Sequence, residues 1–341
     1  MAIRFPLSSF TSHTLPRVRT STIPRVAPHL LAPRYSPIPA IANTTPGHRR
    51  SIMADKVGRN PHPDFKKVEA SREEWDTSAS FRYTKTASPD WKFGDGANRL
   101  HDSDAKSKKH IAIDPYTPGR PWGSNYKLLI SGVTPRPIAF LSTRSADGSA
   151  NLAPFSFFNV VSEDPPLLAV GFARPGPDRD AKDSLRNLRE TGECVVNIIS
   201  EHFVEAANAA SVDAPHGVSE WALSGLTPAE DCETVKCARV KEAVFSIEAK
   251  LDYVKEYDSR VVEGRKGGTI AILEVTRFWV REDALNEDQN LIDISVLKPM
   301  SRLGGITYGR TTQGIELLRP GFEKDVGGRE GAEKIINNTK V

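Results

Sequence analysis

No apolar run in the 341 residues approaches the roughly 18 that argue a membrane span; the longest, Leu167 to Ala173 and Cys194 to Ile199, have strand length. Three cysteines, Cys194, Cys232 and Cys237, form neither an even disulfide framework nor two CxxC pairs, so they read as reduced thiols. Nucleotide fingerprints are missing as well. Gly94-Asp95-Gly96 is followed by Arg99 where a dinucleotide loop needs its third glycine, and no Walker-type phosphate loop, GxSxG elbow or HExxH zinc motif occurs. Only His202 and His216 fall in the region that reads as folded. They are too few for a histidine metal site or a histidine-centred nucleophile, and both read as surface residues.

Carboxylates are absent from residues 1–53, which hold seven arginines, no lysine and eight prolines. The remainder carries 39 basic and 43 acidic residues, so the net charge of +3 conceals a slightly acidic body. A nucleic-acid partner calls for basic charge on the folded part, and that class is set aside. The leader has the composition of an organelle transit peptide. Arg49-Arg50-Ser51-Ile52 resembles a mitochondrial processing site, while Met53 offers an alternative start. A disordered leader on a cytoplasmic protein is the competing reading.

Residues 54–125 form a polar arm, without sustained periodicity, in which Trp75, Tyr83, Trp91 and Trp122 read as anchors against another surface. From Tyr126 to about residue 310 the texture changes to short apolar runs broken by Gly, Pro and Asp, and 311–341 reads as a tail. Strands are expected at Pro137–Ser142, Phe155–Val161, Leu167–Phe172, Cys194–Ile199, Phe245–Tyr253 and Thr269–Val280. Asp147-Gly148 marks a hairpin turn, since such turns require positive φ. Many short strands at hairpin spacing predict a mainly β, closed or partly closed barrel. Short helices are expected at Asp183–Glu190 and His202–Ser211.

Three segments carry candidate chemistry. In the first, Pro135 and Pro137 flank Arg136 at the start of a strand, where proline is tolerated, which places Arg136 at a barrel rim; alone, it also reads as a surface ion-pair partner. In the second, Asn151 to Asn159, small residues let a planar ligand approach the backbone and Asn and Ser groups can bond a heterocycle's edge; it also reads as an amphipathic strand with core phenylalanines. In the third, Arg179 to Ser184 runs into a helix start, whose unpaired N–H groups and partial positive charge suit a phosphate. Lys182 and Ser184 would meet it there, and plain helix capping is the alternative.

The order PRPIAFLST, DG, NLAPFSFFN, DPP at 164–166, KDS and the strand at 190–197 resembles the flavin reductase-like family with the FMN-binding split barrel. Arg302-Leu303-Gly304-Gly305-Ile306-Thr307-Tyr308 resembles that family's closing stretch. The resemblance covers about residues 126–310, and the arm resembles an extension on fungal-type members. It implies a Greek-key-like split barrel and a homodimer with one FMN per subunit near the interface. Carried over by position, Arg136, Asn151, Ala153, Pro154, Ser156 and Phe157 would line the isoalloxazine, Lys182 and Ser184 would meet the phosphate, and Gly304, Gly305 and Tyr308 would complete the site. The family more often has Thr where this chain has Ser184; the hydroxyl is retained. The implied activity is an FMN-dependent oxidoreductase taking hydride from NADH or NADPH, with the flavin and no protein acid, base or metal carrying the chemistry. An FMN electron carrier without nicotinamide turnover, or a non-enzymatic dimeric scaffold, are the competing readings.

Overall fold

The computed structural model describes residues 61–98, 107–173, 181–215 and 217–338. The leader, the Arg49-Arg50 junction, Arg99, Arg179, Asp180, His216 and the side chain of Trp122 lie outside the described residues. Helix α1 (Phe65–Ala70) and the short strand β1 (Arg82–Thr84) belong to the arm, and α2 (Trp122–Gly132) leads into the barrel. Strands β2 (Ala139–Arg144), β3 (Ala150–Phe155), β4 (Phe158–Glu163) and β5 (Pro166–Phe172) precede α3 (Asp183–Thr191) and β6 (Glu193–Ile198). Next come α4 (Val204–Ala209), α5 (Glu220–Ser224), the two-residue pair β7 (Pro228–Ala229) and β8 (Arg239–Val240), and the long hairpin β9 (Phe245–Asp258) and β10 (Lys266–Val280). The chain finishes with α6 (Ile294–Leu297), β11 (Ser301–Arg302), β12 (Tyr308–Gly309), β13 (Gln313–Ile315) and α7 (Gly328–Asn338).

Seven strands form one antiparallel sheet in the order β3-β2-β6-β9-β10-β5-β4. Alternate residues of β2 serve two cores. Ala139 and Leu141 join Val170, Val196, Ala249 and Leu273 inside the barrel, while Phe140 packs outward with Leu152, Ile199, Phe203 and Trp221 beneath α4 and α5. A strand buried on both faces reads as a continuous apolar run instead of an alternating one, which is why PIAFLS was legible. Gly148 turns the β2–β3 hairpin at φ +92°.

One expected strand divides in two. Phe155–Val161 reads as a single run, but β3 ends at Phe155 and β4 starts at Phe158, at opposite edges of the sheet. The Phe157 carbonyl accepts from Gly171 N at 2.6 Å, so the residues of the break are held against β5 as the chain passes from one edge to the other. Helix α2 was not anticipated. Its Leu128 and Leu129 are exposed, so it lacks the inward apolar stripe by which amphipathic helices are recognised.

The arm docks on the C-terminal segment. Strand β1 pairs in parallel with β13, Tyr83 opposite Gly314. A Cβ at Gly314 would lie 2.6 Å from the tip of the Phe81 ring, so any larger residue there would push that ring aside. Arg310 lies 4.0 Å from the centre of the Trp75 ring, donates to the Asp76 carbonyl at 3.0 Å and forks onto Glu201 at 2.8 and 2.9 Å. Trp91 bonds within the arm, to the Gly96 carbonyl.

Candidate active site

A cavity of about 720 Å³ opens between β3, the start of α3, α2, the 208–214 segment and the turn 302–308. Strand β3 supplies Asn151, Ala153 and Pro154, with Phe155 and Ser156 at its end. As an edge strand it tolerates a residue without an amide hydrogen, and Pro154 sits opposite Phe140 of its single neighbour.

At one end of the cavity, Asn151 Nδ2 donates to Ser184 Oγ at 2.9 Å. The Ser184 oxygen thus acts as acceptor and its proton is available to donate onward. Lys182 is the N-cap residue of α3 and adopts an extended conformation with no side-chain capping bond. The helix therefore presents first-turn N–H groups and the positive end of its dipole toward the same place. Lys182 Nζ lies 3.6 Å from Asp213 Oδ1, a half-exposed pair of low intrinsic worth.

Arg136 builds the opposite wall from behind. It is buried, and its Nη1 donates to the carbonyls of Ile130 at 2.6 Å and Val133 at 2.7 Å, while Nη2 donates to Leu303 O at 3.0 Å. The C-terminal end of α2 is thereby tied to the 302–308 turn. Burial lowers the Arg136 pKa from its usual value, and the nearby Arg302 charge lowers it further. Arg302 donates to Gly305 O and Ile306 O and lies 4.3 Å from the centre of the Tyr308 ring. Tyr308 donates its phenolic proton to Asn208 Oδ1 at 3.0 Å, and burial raises its pKa despite Arg302, so the phenol is neutral in the physiological range.

Residues 131–297 match the flavin reductase like domain. An uncharacterized protein of Halalkalibacterium halodurans is 39% identical over 200 residues, which span 58% of this chain and 91% of that protein. The chain belongs to the flavin reductase-like family. Among solved structures of similar fold, nitrilotriacetate monooxygenase component B from Bacillus cereus is 34% identical with a TM-score of 0.57, the match covering 62% of this chain and all of that one. The 2-nitrobenzoate 2-nitroreductase of Pseudomonas fluorescens is 29% identical with a TM-score of 0.53, covering 63% and 98%. The split-barrel architecture and a flavin-related oxidoreductase role are thus common ground between this chain and its family.

Of the residues singled out in the sequence, Asn151, Ala153, Pro154, Ser156, Lys182, Ser184, Gly305 and Tyr308 line the single cavity just described. Arg136, Phe157 and Gly304 stand behind or beside its wall. Arg136 is spent on backbone carbonyls, Phe157 is partly exposed with its ring 6.3 Å from that of Tyr126, and Gly304 packs on Ser131. Sequence reasoning missed Tyr126, Lys127 and Ile130 of α2, the 208–214 wall and Arg302. Only Arg302 had a signal, its place in the RLGGITY run. Among the described residues no cluster of three or more His, Cys, Asp or Glu could hold a metal, and no helix is long and apolar enough to cross a membrane.

Proposed function

We propose that the cavity holds FMN and that the protein is an FMN-dependent oxidoreductase using NADH or NADPH as electron donor. The observation that carries this reading is the coupling of Asn151 to Ser184 at the open N-terminus of α3 beside Lys182. A cation, a hydroxyl with a free proton and unpaired helix N–H groups form a donor set suited to a phosphate monoester. Ala153, Pro154 and Ser156 give a low wall against which a planar ring can lie. When bound, FMN supplies the redox chemistry, accepting hydride from the donor and passing electrons to an acceptor. The protein's part is to hold and orient it: Asn151 fixes the Ser184 hydroxyl, and the Tyr308 bond to Asn208 keeps the cavity wall in place. Hydride transfer at a flavin asks for no protein acid or base, the chemistry being the cofactor's own.

A second copy of the chain is part of the same reading. Leu128, Leu129, Val133, Val160 and Val161 are all more than half exposed, and the Tyr126–Phe157 contact brings α2 and the start of β4 side by side. An apolar face of this kind marks an association surface.

The test is the visible spectrum of the purified protein before and after anaerobic NADH and NADPH. Bound flavin bleached by either donor is expected. Bound flavin that neither donor reduces would make the protein an electron carrier, and a colourless protein indifferent to FMN would end the flavin reading. Lys182→Ala and Ser184→Ala are each expected to weaken FMN by about one to two decades, the worth of a charge-assisted hydrogen bond of roughly 1.5–3 kcal/mol. Riboflavin affinity should stay unchanged, because riboflavin lacks the phosphate. Equal losses for FMN and riboflavin would place the phosphate elsewhere.

A further inference from the structure

The arm precedes the family domain of residues 131–297, yet it reaches the cavity: Pro61, at its start, belongs to the lining together with Ile306 and Tyr308. Further along the arm, Trp75 and Asp76 are clasped by Arg310, which is itself forked onto Glu201. Both members of that ion pair are continuous with the cavity wall. Arg310 follows β12, whose Tyr308 lines the cavity, and Glu201 leads toward α4, whose Asn208 accepts the Tyr308 phenolic proton. The arm is thus fastened to the two segments that carry this wall, and its start is part of the lining.

Between those points α1 is loosely held. It buries none of its residues, and its Lys66–Glu69 and Lys67–Asp64 pairs are local and exposed, so they contribute little. A segment with few buried contacts opens at low cost. The clasp, in contrast, concentrates a cation–π contact at 4.0 Å, a charge-assisted bond at 3.0 Å and the β1–β13 ladder. A strap secured at one end, weakly held along its length and ending at a cavity has the build of a lid.

We infer that residues 61–76 form a gating strap on the flavin cavity, kept shut by the Arg310 clasp, so that the arm sets how fast a flavin enters and leaves. This rests on the flavin reading above and adds a control on the same site. Pro61 is the strap's single contribution to the lining among the described residues, and without an amide hydrogen it donates no bond to a bound flavin. The shut and open states therefore differ in access and not in affinity. A ligand that binds two states equally shifts neither, so the strap slows entry and exit by the same factor.

The experiment follows FMN fluorescence in the full chain by stopped flow, with association on mixing, dissociation on dilution and affinity by equilibrium titration. Trp75→Ala removes the stacked ring and leaves the Arg310–Glu201 pair and the cavity lining in place. It is expected to speed association and dissociation together by roughly five- to tenfold, or about 1–1.4 kcal/mol, the range of a partly exposed cation–π contact. Affinity should stay within about twofold of the parent. Trp75→Phe, which keeps a ring against the guanidinium, should recover most of the parent's rates. Arg310→Lys keeps the charge beside Glu201 but loses the flat stacking surface; it should speed both rates as well, and it carries the test if loss of the indole disturbs the fold. Faster dissociation with unchanged association would make the arm a binding wall and overturn the gate, and unchanged rates in both variants overturn it too. A parent protein that does not bind FMN at all removes the flavin reading first, and the gate with it.

Discussion

Replacing Arg136 with methionine is expected to abolish flavin binding even though this side chain stands behind the cavity wall. Its guanidinium is the common donor to Ile130, Val133 and Leu303, and methionine can bond none of them. Charge-assisted bonds contribute roughly 1.5–3 kcal/mol each, and because they share one donor group their losses do not simply add. A stability loss on the order of 3–5 kcal/mol follows, with three carbonyls left to find water. The functional loss is larger, since α2 and the 302–308 turn are no longer tied and the far wall opens. Urea unfolding and FMN fluorescence quenching measure the two effects separately. Arg136→Lys, which keeps the charge but not the fork, should fall between parent and methionine in both. A methionine variant that unfolds at the parent's urea concentration and binds FMN normally would show that the wall stands without this staple.

Acid should weaken the fold through Glu248. This carboxylate is fully buried between β6 and β10. Burial alone would raise its pKa, but donors from the Thr234 hydroxyl, Trp279 Nε1 and the Glu233 and Thr234 amides outweigh that and lower it from 4.5 to about 2. The folded pKa lies below the unfolded one, so the unfolded chain binds the proton more tightly and stability falls as pH falls. The contribution, about 3 kcal/mol at 1.36 kcal/mol per pKa unit, is fully present above about pH 5 and disappears as pH drops from about 4.5 toward 2. Glu248→Gln, whose amide nitrogen meets donors it cannot accept from, should be less stable at neutral pH. Its urea midpoint should lose this acid-sensitive component and converge on the parent's toward pH 2. Parallel midpoint-versus-pH curves for the two proteins would contradict the assignment.

The barrel was readable where local and tertiary demands agree. β2, β5 and β6 are apolar runs bounded by Gly, Pro or Asp because their side chains are buried, and the β2–β3 turn announces itself through Asp147-Gly148. The break at Ser156-Phe157 was not readable. Both sides of it are apolar, and what separates them is a contact with β5, remote in sequence. The hairpin strands also run further than expected, β9 to Asp258 and β10 from Lys266, because their outer residues are exposed and polar and resemble loop. Lys182 and Ser184 stand out in the sequence because they fall within three residues of a helix start, and both line the α3 end of the cavity. The α2 end does not: it is assembled from residues near 127 and near 302, and its staple, Arg136, is buried among carbonyls that have no side-chain signature. Arg136 as a surface ion-pair partner is the alternative that burial removes.

The arm's contact with the C-terminal segment sets an order of events during synthesis. Trp75, Asp76 and Phe81 leave the ribosome long before the residues they dock on, since the Arg310–Asp76 bond spans 234 positions. At about 5–20 residues per second, the arm waits roughly ten seconds or longer without its partner while the barrel strands emerge and pair. Docking it is therefore the last act of folding this region. A chain that ends before Arg310 lacks the partner of Trp75 and Asp76, and one that begins after Phe81 leaves Gly314 and Arg310 without theirs.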